Sequence, residues 1–231
     1  KIDIGEFEIG SNHKTFIIAE IGNNHNGSLK NAFKMIDMCV EMGVDCVKFQ
    51  LRNLNDLYRK NTINKNGEDL GTEYLIDILN KFELSLEEHK KVRDYCIKKN
   101  ILYLCTPWDL KSVDVLEEFE VPAYKIASAD LTNRLLIDKL IKTNKPLIFS
   151  TGMSTRDEIN NLVNYLNKQN AKFVILHCNS TYPAPFQDIN LNWLKQLKKI
   201  HPIIGYSGHE RGIAVSLAAV TLGASVIERH F

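Results

Sequence analysis

The sequence predicts an α/β protein that closes into a (β/α)8 barrel. Three observations carry this. Apolar strand-like runs alternate with amphipathic helical segments along the whole chain, and strict alternation of this kind builds a parallel sheet. The strand-like runs number eight within 231 residues, the count and length of a barrel that folds as one domain. The rival is an open doubly wound sheet, which usually carries a glycine-rich phosphate turn after its first strand. Here that turn reads Gly22-Asn-Asn-His-Asn-Gly27 with no Lys-Ser/Thr after it, so it is not a P-loop.

The expected strands are Phe16–Ile21, Cys46–Gln50, Ile101–Cys105, Ala123–Ala127, Leu147–Ser150, Phe173–His177, Ile203–Gly205 and Ser225–Glu228. The first helix follows Ser28, sets Leu29, Phe33, Ile36 and Val40 on one apolar face, and stops at Gly43. Ser85-x-x-Glu88 is a capping box for a helix that ends near Asn100. Asp109 caps a short helix through Val113 and Leu116, and Thr132 is placed to cap the next, through Leu136 and Leu140. Thr155-x-x-Glu158 is a second capping box, leading to Leu162 and Leu166; Ser154 beside it reads as a cap residue too. A short helix over Asn192–Ile200 follows. The last helix turns Ala214, Leu217 and Ala218 inward and ends at Gly223. The longest insertion, about Leu51 to Leu84, follows the second strand and reads as a flap over the barrel mouth.

Composition excludes several classes of function. Lys and Arg number 29 against 28 Asp and Glu, which gives no basic excess for nucleic acid or an anionic membrane. No apolar run approaches the roughly 20 residues of a membrane span, and K-I-D-I-G-E-F-E-I-G at the start lacks a signal peptide's apolar core. Cysteines 39, 46, 96, 105 and 178 sit in apolar stretches without a C-x-x-C pair, as buried reduced thiols of a cytoplasmic protein do.

Barrel enzymes place their chemistry at the C-terminal ends of the strands. Here those ends carry Glu20; Lys48 and Gln50; Thr106; Lys125, Ser128 and Asp130; Ser150 and Thr151; His177, Ser180 and Tyr182; Ser207 and His209; and Glu228 and His230. Buried strand lysines are costly unless they meet an anion. Two of them in a ring of hydroxyls suggest a cradle for a phosphate and a carboxylate. Neutral imidazoles near a carboxylate are ordinary ligands for a divalent metal. Residues alone leave His209 and His230 two readings, metal ligands or satisfied polar groups. Likewise Lys48 and Lys125 could reach solvent or pair with Glu20 and Glu228. His177 and His201 read as satisfied polar groups, His25 as a surface residue, and Trp108 as packing or a sugar-facing ring.

A set of segments makes a sharper statement. F-I-I-A-E-I-G-N-N-H-N-G-S, V-K-F-Q, C-T-P-W, Y-K-I-A-S-A-D, S-T-G-M-S, H-C-N-S-T-Y-P-A-P, G-Y-S-G-H and I-E-R-H-F occur in order from Phe16 to Phe231. Together they resemble the sialic acid synthase family, which includes N-acetylneuraminate synthase and its legionaminic, pseudaminic and spore-coat polysaccharide relatives. The resemblance implies a (β/α)8 barrel followed by a small antifreeze-like domain, in a cytoplasmic homodimer. It implies condensation of phosphoenolpyruvate with an acetamido aldose such as N-acetylmannosamine, giving a nine-carbon 2-keto acid and phosphate for sialic-acid or cell-surface polysaccharide synthesis. It implies a divalent metal, Mn2+ first with Mg2+ or Co2+ as alternatives, held by His209 and His230. It assigns Lys48, Thr106, Lys125, Ser128, Ser150, Ser180 and Ser207 to the phosphoenolpyruvate cradle. Glu20 becomes the acid/base residue, with Lys125 a catalytic residue beside it, and Gln50, Asp130 and Tyr182 contact the acceptor sugar.

Several relatives carry Glu in place of Asp130 and some carry Asn in place of Ser180. The family continues past R-H-F with an eighth helix and the antifreeze-like domain, so residues 1–231 read as the barrel without them. That predicts exposed apolar surface between the first and seventh helices, and little activity from this chain alone. Two other functions remain open: a Schiff-base pyruvate aldolase using Lys125, and a non-catalytic sugar-binding fragment. A phosphorylated acceptor would need an extra basic site; Arg52, Arg59 and Lys60 in the insertion could be one, against the plainer reading of solvated loop charges.

Overall fold

The computed structural model describes residues 1–57 and 79–231. Two short strands, β1 (Ile2–Ile4) and β2 (Phe7–Ile9), form an antiparallel hairpin ahead of the barrel. The barrel strands are β3 (Phe16–Glu20), β4 (Cys46–Leu51), β5 (Leu102–Pro107), β6 (Tyr124–Ile126), β7 (Leu147–Ser150), β8 (Phe173–Cys178), β9 (Ile204–Gly208) and β10 (Val226–His230). They make one eight-stranded parallel sheet in the order β5-β4-β3-β10-β9-β8-β7-β6. Its end strands β5 and β6 lie against each other, so the sheet curls into a nearly closed barrel. The sequence-predicted barrel of alternating units is thus the observed one.

Among the described residues, helices of eight residues or more are α1 (Leu29–Glu41), α2 (Leu86–Lys98), α3 (Leu110–Glu118), α4 (Arg134–Lys142), α5 (Arg156–Lys168), α6 (Trp193–Ile200) and α7 (Ala214–Thr221). Ser28 caps α1 through the Asn31 N–H, Asp109 caps α3 through the Ser112 N–H, and both capping boxes close as expected.

Strand periodicity sets the barrel's two halves. Residues two apart point to one face of a strand. Toward the barrel interior, the strands begin apolar and end polar: Ile18 then Glu20, Cys46 then Lys48, Leu104 then Thr106, Ile148 then Ser150, Val226 then Glu228. The apolar layer packs on Ile2, Ile4 and Ile9 of the hairpin, which plugs the lower end. Each of these fully buried side chains contributes about 1.5–3 kcal/mol. The alternate residues, such as Val47, Phe49, Tyr103, Phe149 and Ile175, face the helices and form the outer core. A one-residue slip in any strand would exchange the two sets, so the register that buries the apolar residues is the one that turns the polar ring into the upper cavity.

Several expectations are corrected. His25 is buried rather than on the surface; its Nδ1 accepts from the Gly27 N–H at 3.1 Å and its ring stacks on Phe49. Asn133, not Thr132, caps α4, accepting from the Leu136 N–H. Ser154 donates to the Gly152 carbonyl instead of capping α5. On α1 the buried residues are Ala32, Ile36 and Cys39, while Val40 is exposed. On α7 only Ala219 is buried; Ala214 and Leu217 are exposed and Ala218 is half-buried. That helix is apolar on nearly every side, so periodicity could not choose its face. The strands β8, β9 and β10 run further than predicted, so that Cys178, Ser207 and His230 lie within them. Most of the 51–84 insertion, with Arg59 and Lys60, lies outside the described residues. All five cysteines are free and buried. Among the described residues no helix is long and apolar enough to cross a membrane.

Candidate active site

A cavity of about 250 Å³ opens at the C-terminal ends of the strands. Its walls include Glu20, Lys48, Gln50, Thr106, Lys125, Ser128, Ser150, Ser180, Tyr182, Ser207, His209 and His230. Thr151, His177 and Asp130 stay out of its walls; Asp130 follows β6 on a single 3-10 turn, where Asn133 Nδ2 donates to its Oδ1 at 2.9 Å. Burial raises the Asp130 carboxyl above its usual range, and its Oδ2 has no hydrogen-bond partner among the described residues. Trp108, Ala127, Ala129, Met153, Cys178 and Glu228 complete the walls. Glu228 stands there as its strand-end position predicts; Cys178, read only as a buried thiol, lies two residues from the inward-facing Leu176, so the strand period could have found it.

Glu228 sits at the centre. Its Oε1 lies 3.9 Å from Lys48 Nζ and 3.7 Å from Lys125 Nζ, and accepts from Ser207 Oγ at 3.1 Å. Lys48 Nζ also lies 2.5 Å from Glu20 Oε2 and donates to Thr106 Oγ1 at 3.1 Å. Lys125 donates to Ser150 Oγ at 2.6 Å and to the Ile126 carbonyl at 3.1 Å. Gln50 Nε2 donates to Glu20 Oε1 at 2.8 Å, and Arg52, whose guanidinium stacks over Trp108, donates to Gln50 Oε1.

The two lysines are held differently. Burial alone would lower the Lys48 pKa, but Glu20 and Glu228 outweigh it and the net shift is upward. For Lys125 burial wins, and attraction to Glu228 only offsets part of it, so its pKa is lowered. Burial opposes the Glu228 charge, yet Lys125 and Lys48 together keep its carboxyl below the usual range.

His209 and His230 face each other across the rim with ring centroids 5.5 Å apart. His209 Nδ1 lies 2.6 Å from the Asn179 carbonyl. Donation there fixes the tautomer and leaves Nε2 as an acceptor. Burial lowers the His209 pKa, which favours the neutral ring. Tyr182 lies over His209 at 3.9 Å and meets the edge of His230 at 5.5 Å. No group of three or more His, Cys, Asp or Glu suited to a metal occurs among the described residues; this pair offers two ligands.

His177 and His201 lie away from the site. His177 Nε2 meets the Ile189 carbonyl at 2.6 Å and His201 Nε2 the Phe173 carbonyl at 2.9 Å. A larger groove of about 910 Å³ runs beside the mouth and shares Met153, Cys178 and Ser180 with the smaller cavity. It holds neither lysine nor the His209/His230 pair, all of which line the smaller cavity.

A parallel barrel with charge-paired side chains gathered inside its C-terminal mouth is the layout of a (β/α)8 enzyme. The comparisons narrow the class. The sequence profile of the NeuB family matches residues 35–231. An N,N'-diacetyllegionaminic acid synthase of Campylobacter jejuni is 43% identical over 94% of this chain and 67% of its own length. The human N-acetylneuraminate-9-phosphate synthase is 36% identical over 96% of this chain and 63% of its own length. A crystal structure of an N-acetylneuraminic acid synthetase from Leptospira borgpetersenii, in complex with citrate, superposes with a TM-score of 0.88 at 35% identity, covering 100% of this chain and 77% of that one. The chain belongs to the NeuB family. It spans about two thirds of the length of the curated relatives it matches.

Proposed function

We propose that this barrel carries the catalytic site of a synthase that condenses phosphoenolpyruvate with an acetamido aldose, giving a 2-keto acid and phosphate. The observation that supports this most is the meeting of two lysines, a ring of hydroxyls and two imidazoles around one 250 Å³ cavity. Phosphoenolpyruvate presents a phosphate and a carboxylate. Lys125, with Ser150, Ser128 and Ser207 nearby, and Lys48, with Thr106, offer donors for two anionic groups. Gly152 adds a close backbone approach: its N–H donates to Ser128 Oγ at 3.0 Å.

The residues fit a divalent metal. His209 has its Nδ1 occupied by a carbonyl and Nε2 left to coordinate, and His230 faces it. A metal there would act as a Lewis acid on the acceptor's aldehyde oxygen. Mn2+ is the first candidate, with Mg2+ or Co2+ compatible. The carbon–carbon bond forms from the methylene carbon of phosphoenolpyruvate to the aldehyde carbon, using the C=C electron pair and leaving the phosphate-bearing carbon cationic. Water then adds to the cationic centre and phosphate leaves. Glu20, hydrogen-bonded by Gln50 at 2.8 Å, is placed to take or give the proton. The lysines and hydroxyls stabilise anionic charge throughout. Tyr182 and Gln50, which line the cavity, would contact the acceptor, and Asp130, outside its walls, would reach it only by a shift of its turn. Relatives named for phosphorylated and non-phosphorylated products both match, so the acceptor class is an N-acetylated aldose of either kind. A homodimer completing the site through a further domain is part of this proposal.

The test is phosphate release from phosphoenolpyruvate plus N-acetylmannosamine, with Mn2+ and with excess chelator, from this chain and from one extended beyond residue 231. Chelator-sensitive release supports the reading. Its absence from both chains, with every acetamido aldose tried, overturns it. The lowered pKa of buried Lys125 favours one second reading, a pyruvate Schiff base at its Nζ. Borohydride trapping with pyruvate on Lys125 would establish that reading instead.

A further inference from the structure

We infer that Arg229 is a positioning residue that fixes the geometry of the two imidazoles by clamping the loop after β9 to β10. The inference rests on the metal reading of His209 and His230. The two rings come from different places: His230 ends strand β10, while His209 follows β9 on an irregular segment. A site with only two protein ligands needs both held at fixed separation before the metal arrives.

Arg229 lies between Glu228 and His230, so its side chain points to the opposite face of the strand from both. There it grips the neighbouring loop at three acceptors. One guanidinium nitrogen pairs with Glu210 Oε1; the other donates to the Glu210 carbonyl and, at 3.1 Å, to the Gly212 carbonyl. Glu210 is the residue directly after His209 and its side chain is wholly buried. Its second oxygen accepts from Tyr206 Oη at 2.6 Å, which ties it back to β9. Each carboxylate oxygen thus has a donor and the planar guanidinium fork is engaged on both arms, the arrangement in which a buried ion pair specifies a conformation.

Gly208 makes the contact sterically feasible. A Cβ there would lie 2.5 Å from the Arg229 guanidinium, 2.5 Å from the Tyr206 ring and 2.6 Å from Glu210 Oε2. The run G-Y-S-G-H-E and the pair R-H at the end of the chain therefore encode one device: Tyr206, Gly208, Glu210 and Arg229 set the backbone, and His209 and His230 project from it. Nothing in this network lines the cavity, so its members act through the histidines.

The experiment uses two readouts on the substrate-free chain: Mn2+ affinity by electron paramagnetic resonance, and hydrogen exchange of the 209–212 segment. Arg229→Met removes the donors and keeps the apolar stem; Gly208→Ala attacks the same contact from the other side. Both are expected to weaken Mn2+ binding at least about tenfold and to speed exchange across 209–212, with the other strands protected as in the parent. Glu210→Gln keeps hydrogen-bonding groups toward Arg229 and Tyr206, and is expected to fall between. Parent-like Mn2+ affinity in Arg229→Met overturns the inference. So does exchange raised throughout the barrel, which would make the pair a general stabiliser. A parent chain that binds no Mn2+ overturns the metal reading itself, a distinct result because no variant is needed to see it.

Discussion

Replacing Glu228 with Gln tests the centre of the site. The carboxylate lies 3.9 Å from the Lys48 ammonium and 3.7 Å from that of Lys125, with all three groups buried. At an effective dielectric near 20, each pair is worth about 4 kcal/mol of gross attraction. Lys48 keeps Glu20 as a partner at 2.5 Å, so the loss falls chiefly on Lys125, which is left with Ser150 Oγ and one carbonyl. Breaking a buried pair by removing one member costs about 3–5 kcal/mol, and that is the expected fall in unfolding free energy at pH 7. The pH dependence carries a sign. Lys125 already has a lowered pKa, and Glu228 is the first group raising it; without it the pKa falls further. The unfolded chain then binds the extra proton between that lowered value and the ordinary 10.5, so stability of the variant rises with pH through this window. Urea titrations at pH 7 and pH 9.5 read both effects. A loss under about 1 kcal/mol at pH 7 would refute the argument, because an ammonium stranded in a dry barrel cannot be that cheap.

Two further outcomes concern Gly152 and the buried histidines. In Gly152→Ala the new methyl would collide with Ser180 Oγ and come within 2.8 Å of Ser128 Oγ; phosphoenolpyruvate affinity measured by calorimetry should fall about tenfold or more, roughly 1.4 kcal/mol, and an unchanged affinity would remove Gly152 from the cradle. His25, His89, His177 and His201 are all buried, and burial lowers each pKa below 6.5, for His89 to about 4. The unfolded chain takes up protons first as pH falls, so the urea midpoint should drop steadily from about pH 6.5 toward pH 4; a flat profile over that range would contradict their neutral burial.

The period-2 pattern made the barrel and most of its mouth readable, because in a parallel strand buried on both faces the change from apolar to polar still marks the cavity end. Ile18–Glu20 and Cys46–Lys48 show this directly. Other features had no such signal. The hairpin I-D-I-G-E-F-E-I alternates around Gly5, whose φ is +57°, but strands of three residues are below what periodicity detects. The burial of His25 depends on Phe49 from another strand, and α7 offered no polar face to orient it. Asp130 shares a strand-end position with true cavity residues, yet the 3-10 turn over Ser128–Asp130 rotates it away from the mouth.

The site's charge balance separates the roles of its lysines. Two carboxylates, Glu20 and Glu228, face two ammonium groups, Lys48 and Lys125, so the cavity is close to neutral before any substrate enters. An anion must therefore draw a lysine from a carboxylate already beside it. Lys48 is poorly suited to move: it lies 2.5 Å from Glu20 and its pKa is raised. Lys125 has its nearest carboxylate oxygen at 3.7 Å, a hydroxyl at 2.6 Å and a lowered pKa. An incoming phosphate or carboxylate would supply the counter-charge that Lys125 lacks and would raise its pKa toward the ordinary value, a gain available only when the anion is bound. Under the proposed function Lys48 would be the fixed counter-ion of Glu20, and Lys125 the group whose interaction would strengthen most on binding.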